Sequence, residues 1–180
     1  GYGADWPVEA EKRGLLNLRS TPEALVHYTD EKNVALFARH GVYTRAEMES
    51  REEINMEEYA KTIRIEALTC LDMLKKMIIP AGIAYSKELA ETVTLKKGIG
   101  VEAPVECAKV QELTDMTAEL CALTDALEKA VDEAPEEVVA CGLYDHETVS
   151  PAMEAARKVA DALEKKVPKK MWPMPTYADM

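Results

Sequence analysis

From Thr44 no helix breaker appears until Pro80, and helical periodicity resumes beyond it to about Lys97. TRAE, residues 44–47, has the form of a capping box, in which a hydroxyl and a carboxylate satisfy each other's backbone donors. A continuous helix over this span would be roughly 75–80 Å long at 1.5 Å per residue. Its early part, ESREEINMEEY, is charged with a thin apolar stripe. Its middle, IEALTCLDMLKKMIIPAGIAY, is apolar almost all round, as in a helix covered by neighbours on several sides. Pro80 removes one backbone bond and crowds the preceding turn, which predicts a kink there and not a stop.

The segments on either side are read against that helix. Before it, Asp5 is placed to cap a short helix through about Arg13, ended by Gly14. STPEAL reads as a second start, with Thr21 capping and Pro22 in the first turn. Asp30 opens a third, on which Val34, Phe37 and Ala38 share a face and Gly41 ends the run. None of the three is long enough to bury a core alone, and together they look like a segment that packs on something else. After the long helix, GIGVEAP (residues 98–104) is a loop. Leu113, Met116, Leu120, Leu123, Leu127 and Ala130 then alternate spacings of three and four. Past a turn at Pro135, so do Val149, Met153, Ala156, Ala160, Leu163 and Val167, with Pro151 either kinking that helix or restarting it under a Ser150 cap. The fold class expected is all-α: short N-terminal helices, then the long kinked helix and two further helices in an antiparallel three-helix bundle. The limits expected are residues 1–43 for the short helices, 44–168 for the bundle and 169–180 for an extended arm.

Composition narrows the functions open to such a chain. The formal charge of −11 disfavours nucleic acid and anionic membrane surfaces as partners. No apolar run approaches the ~20 residues needed to span a bilayer, and the N-terminus lacks a signal-peptide pattern, so a cytoplasmic location is expected. Cys70, Cys107, Cys121 and Cys141 are scattered and never form C-x-x-C. That pattern suits small buried thiols in a reducing compartment.

A carboxylate-rich helical chain raises the possibility of a di-iron centre, which needs Glu-x-x-His on two helices. None of His27, His40 and His146 has Glu three residues before it. No metal site is expected. Glu66 and Asp72 stand in the most apolar stretch, either as acid–base groups or as partners of Lys61, Arg64 or neighbouring helices that fix register. No glycine-rich loop follows a strand to cradle phosphate. No catalytic, cofactor-binding or metal-binding residue is therefore assigned.

The opening GYGADWPVEAEKRGLLNLRSTPEAL, the KTIRIEA stretch, MIIPA around Pro80, SPAMEAARKVADALE and the closing WPMPTYADM resemble the C-terminal part of type III glutamine synthetases. The resemblance covers nearly the whole chain and is least distinctive between Gly98 and Pro135. STPEAL, FARHGV and EEYAKT are also similar to the last helices of the catalytic domain in other glutamine synthetases. The resemblance implies that residues from Gly1 to about Lys61 end a catalytic domain and that the bundle is an extension. It implies a parent enzyme joining ammonia to glutamate with ATP and Mg or Mn, whose metal and phosphate ligands lie upstream. The absent initiator methionine and the coreless first pieces are features expected of a fragment. The family tail is expected to continue a few apolar residues past Met180.

The stiff aromatic strip at the end carries the candidate docking residues Trp172, Pro173, Pro175 and Tyr177. Prolines hold such a strip extended and rings supply contact area. Its seat is the bundle, the catalytic domain or a neighbouring subunit; the plain alternative is a tail wrapped on its own bundle. Three readings of function stand: a structural or assembly domain of glutamine synthetase, inactive alone, whose partners are the catalytic domain and neighbouring subunits of a homo-oligomer; a stand-alone helical interaction scaffold; and a carboxylate-bridged metalloenzyme.

Overall fold

In the computed structural model, which describes residues 3–175, every regular element is helical. Three short helices, α1 (Trp6–Lys12), α2 (Thr21–Leu25) and α3 (Glu31–Arg39), precede α4 (Arg45–Met73). A π-turn, Leu74–Ile78, joins α4 directly to α5 (Ile79–Gly98). Then come α6 (Pro104–Asp132), α7 (Val138–Tyr144), a second π-turn at Asp145–Val149, and α8 (Ser150–Glu164).

The long helix starts as its sequence demands. The Glu47 carboxylate accepts the Thr44 N–H at 2.7 Å, and the Thr44 hydroxyl accepts the Glu47 N–H at 3.3 Å. Gly14, Gly41 and Gly100 end their helices at positive φ, each with a Schellman pair of bonds, such as Val101 N–H to Lys96 O at 2.9 Å. The cap of α2 is one residue earlier than expected. Ser20, not Thr21, forms a reciprocal box with Glu23. Asp5 and Oδ-bearing Asp30 occupy N-cap positions without a side-chain bond.

Helical backbone continues through Pro80 and Pro151, and the two sites share one arrangement: a π-turn, one residue, then proline. In an α-helix, proline lacks the donor for the carbonyl four residues back and crowds it. A π-turn offers each carbonyl to the amide five residues on, as Ile79 N–H to Leu74 O shows. The missing donor therefore falls where the ladder has already been re-spaced. Ser150 is accordingly not a cap: Val149 before it is already helical.

Contacts divide the chain into two compact units. One takes in residues up to Thr62 with Pro135–His146. There α2 packs on α7, the Thr29 hydroxyl donates to Glu52 at 2.6 Å, and Arg45 pairs with Glu31 at 2.6 Å. Arg51 lies 4.5 Å over the Tyr43 ring, and Met48 and Met56 are fully buried. Even so, Val8, Leu15, Leu16, Leu36 and Ile54 remain exposed.

The other unit comprises Ile63–Ala134 with the residues from Glu147 onward. Lys96 pairs with Glu106 and Lys75 with Glu128, so α5 and α6 run antiparallel. α6 also packs on α8, and all three helices meet at Gly82, where an added Cβ would stand 3.0 Å from Thr117 Oγ1 and 3.1 Å from Leu163 Cδ2. The core collects Leu74, Ile78, Leu113, Leu120, Ala156, Ala160 and Leu163. On α6 the buried seam is not the leucine–methionine stripe alone: Thr117 and Thr124 are buried, while Met116 and Leu123 are half-buried. Each threonine hydroxyl donates to the carbonyl four residues back, at 2.6 and 2.7 Å, which removes the polar cost of burying it.

Candidate functional site

The C-terminal strip begins with Pro168, which fixes the backbone ahead of a single 3₁₀ turn, Lys169–Met171. The Trp172 N–H closes that turn on the carbonyls of Pro168 and Lys169, at 3.1 and 3.2 Å. This places the indole inward. Trp172 is 7% exposed and joins the core of its own unit, with Met171 and Met174 packed beside it. Its Nε1 is buried with no hydrogen-bond partner among the described residues. Pro173 and Pro175 are exposed. Tyr177 lies outside the described residues. Within this chain Trp172 packs on the helices of its own unit.

Trp172 and Met174 also contribute to a cavity of about 650 Å³ between the second half of α4, the first π-turn and α8. Its wall includes Ile65, Cys70, Met73, Leu74, Ile78 and Met153, and its charged residues are Glu66, Glu154, Arg157 and Asp161. Burial pushes the Cys70 thiol upward, with Arg157 opposing. A hydrogen bond from Lys158, at 2.9 Å, holds the Glu154 carboxyl below the usual range. Arg157 reaches Asp161 at 3.7 Å. Glu66 and Asp72, read as buried acid–base groups or as register-fixing partners of Lys61, Arg64 or neighbouring helices, are exposed. Lys61 pairs instead with Glu57 at 2.7 Å and Asp72 with Lys76, while Glu66 makes no ion pair among the described residues. Successive charges one turn apart on the same helix satisfied one another locally, as exposed i,i+4 pairs do.

The histidines lie apart. His27 Nδ1 is 3.4 Å from Asp30 Oδ2, His40 ends α3, and His146 lies near Glu23, whose carboxyl is lowered chiefly by the Ser20 hydroxyl. Among the described residues no group of three or more His, Cys, Asp or Glu is gathered to hold a metal. None of the four cysteines is in a disulfide; Cys107 is exposed and the others are half-buried. Among the described residues no helix is long and apolar enough to cross a membrane.

A family model, glutamine synthetase C-terminal domain, matches residues 1–97, more than half the chain. The chain belongs to that family. The glutamine synthetase C-terminal domain match ends at the last turn of α5, but similarity to curated relatives continues to the end. A glutamine synthetase of Butyrivibrio fibrisolvens is 35% identical, and a type-3 glutamine synthetase of Dictyostelium discoideum is 34% identical. A glutamine synthetase of Bacteroides fragilis is 28% identical. Each alignment takes in 100% of this chain and 26% of the relative, so the chain spans about a quarter of the length of the glutamine synthetases it matches.

Proposed function

We propose that this chain is the C-terminal helical part of a type III glutamine synthetase, with a structural or assembly role and no catalysis of its own. The observation that carries the reading is the full-length match to curated glutamine synthetases, one of them named type-3, over a quarter of their length. Residues 1–43 finish the catalytic domain, residues 44–168 form the helical extension and residues 169–180 its arm. The apolar side chains left open at Val8, Leu15 and Leu16 suit a segment that meets the preceding polypeptide. Among the described residues no group of three or more His, Cys, Asp or Glu is gathered to hold a metal. The ATP and the Mg or Mn belong to the preceding part of the enzyme. The partners are that catalytic part and neighbouring subunits of a cytoplasmic homo-oligomer.

The test compares the full-length protein with a version truncated after Tyr43, by ATP-dependent glutamine formation and by mass in solution. Loss of the oligomer on truncation, with no activity in the 180-residue chain alone, supports the assembly role. An unchanged oligomer with unchanged activity refutes it. A reading frame that starts immediately before Gly1 would remove the ligase reading altogether.

A further inference from the structure

We infer that the cavity lined by α4, the first π-turn and α8 is the seat of a short, apolar segment bearing a lysine or arginine, supplied by the polypeptide that precedes Gly1 in the full-length enzyme. The inference rests on the proposed function and names a contact within it.

Three observations select this occupant. The apolar stretch of α4 faces outward as well as inward: Ile65 is 66% exposed and Leu68 49%, beside a cavity whose wall is Cys70, Met73, Leu74 and Ile78. Exposed apolar side chains gathered beside a cavity mark an interaction site. Size comes next. At about 650 Å³ the cavity holds a handful of side chains, far fewer than the ~20–30 residues a side that a free-standing complex engages. A tethered segment needs no such area, because its effective concentration is in the millimolar range. The curated relatives carry nearly three quarters of their length outside the region matched here, which supplies the tether.

Charge decides between that segment and a second copy. Around the cavity, Arg157 is engaged by Asp161 and Glu154 by Lys158, which leaves Glu66 as a carboxylate without an ion pair among the described residues. A second copy of this chain brings the same acidic edge to this cavity, and like charges brought together disfavour the contact. A cation flanking apolar side chains complements it.

The test places a photo-reactive benzoylphenylalanine at Thr69, an exposed residue of the cavity edge, in the full-length protein. After irradiation, the expected product keeps the mass of one polypeptide on a denaturing gel, with the cross-linked peptide mapping before Gly1. A doubled mass, or cross-links confined to this chain's own residues, overturns the inference. Glu66→Lys is expected to lower the cross-link yield roughly threefold to fivefold, the range of one close charge contact, with Glu66→Gln between. Equal yields from all three overturn the choice of a basic segment. Circular dichroism shows that each variant is folded. The mass of the uncross-linked protein reports separately on whether the chain belongs to a longer polypeptide, so the two readings fail independently.

Discussion

Gly82→Ala sets a local gain against a tertiary loss. In a helix interior alanine is favoured over glycine by about 0.8–1.0 kcal/mol. The new Cβ, however, would stand 3.0 Å from Thr117 Oγ1 and 3.1 Å from Leu163 Cδ2. Such contacts are tighter than ordinary van der Waals distance, so both neighbours would have to retreat by a few tenths of an ångström. They belong to two different helices, and neither is loose. The Thr117 hydroxyl is tied to Leu113 O at 2.6 Å, and Leu163 is fully enclosed. Overpacking of this kind costs ~1–3 kcal/mol, so Gly82→Ala should lose about 1 kcal/mol net and Gly82→Val roughly 3 kcal/mol. For a chain of this size 1 kcal/mol corresponds to about 2–4 °C in Tm. Urea unfolding followed by far-ultraviolet circular dichroism measures it, with the slope checked for constancy. Leu163→Val, which shortens the contacting side chain, should recover about 0.5–1 kcal/mol of the alanine penalty in a double-mutant cycle. A rise in stability equal to the helix preference would refute the close three-helix contact.

Trp172→Ala should cost roughly 3–5 kcal/mol of stability. Trp172→Phe should cost much less, because it keeps an aromatic ring and removes a buried N–H whose lack of a partner is worth ~1–3 kcal/mol against the native state. Thermal melts of the two variants compare them, and equal losses would refute the unpartnered indole. Backbone N–H groups at the helix starts hold the carboxyls of Glu47 and Glu137 below the usual range. The stabilisation they give is complete above the ordinary carboxylate pKa and is lost as pH falls through the lowered folded value. The difference in urea midpoint between the native protein and Glu137→Ala should therefore close between about pH 7 and pH 3, and a gap that persists in acid would contradict the cap. Iodoacetamide at mildly alkaline pH should modify exposed Cys107 first and Cys70, whose thiol is pushed up by burial, much later; peptide mass mapping gives the order.

Local signals were legible in the sequence wherever a few neighbouring residues decide the outcome. The Thr44–Glu47 box and the glycines after α1 and α3 behave as read, because capping bonds span only a few residues. The Ser20 cap was misplaced by one residue because two adjacent hydroxyls compete and only backbone angle separates them. The Glu137 cap was missed, as glutamate is an uncommon N-cap, although it accepts from both Val139 and Ala140. The π-turns leave no periodicity of their own, and the prolines two residues past them are the only trace. Burial of Thr117 and Thr124 depends on hydroxyls bonding back to their own helix, which a hydrophobic stripe does not reveal. At the candidate site, the strip's aromatic character was legible. The inward turn of Trp172 was not, since it depends on the core that Leu74, Ile78 and Val167 assemble from distant parts of the chain.

The first π-turn also governs which changes in length this protein tolerates. A π-turn is an α-turn with one residue to spare, and an α-helix advances about 100° per residue. Removing a single residue from Leu74–Ile78 would restore ordinary α-turns and leave α5 facing nearly the same way, but it would set Pro80 against the carbonyl four residues back. Side chains along the helix can drift to the 35% identity seen in a relative. A deletion at the π-turn would cost the proline its place in the ladder, not the helix its direction.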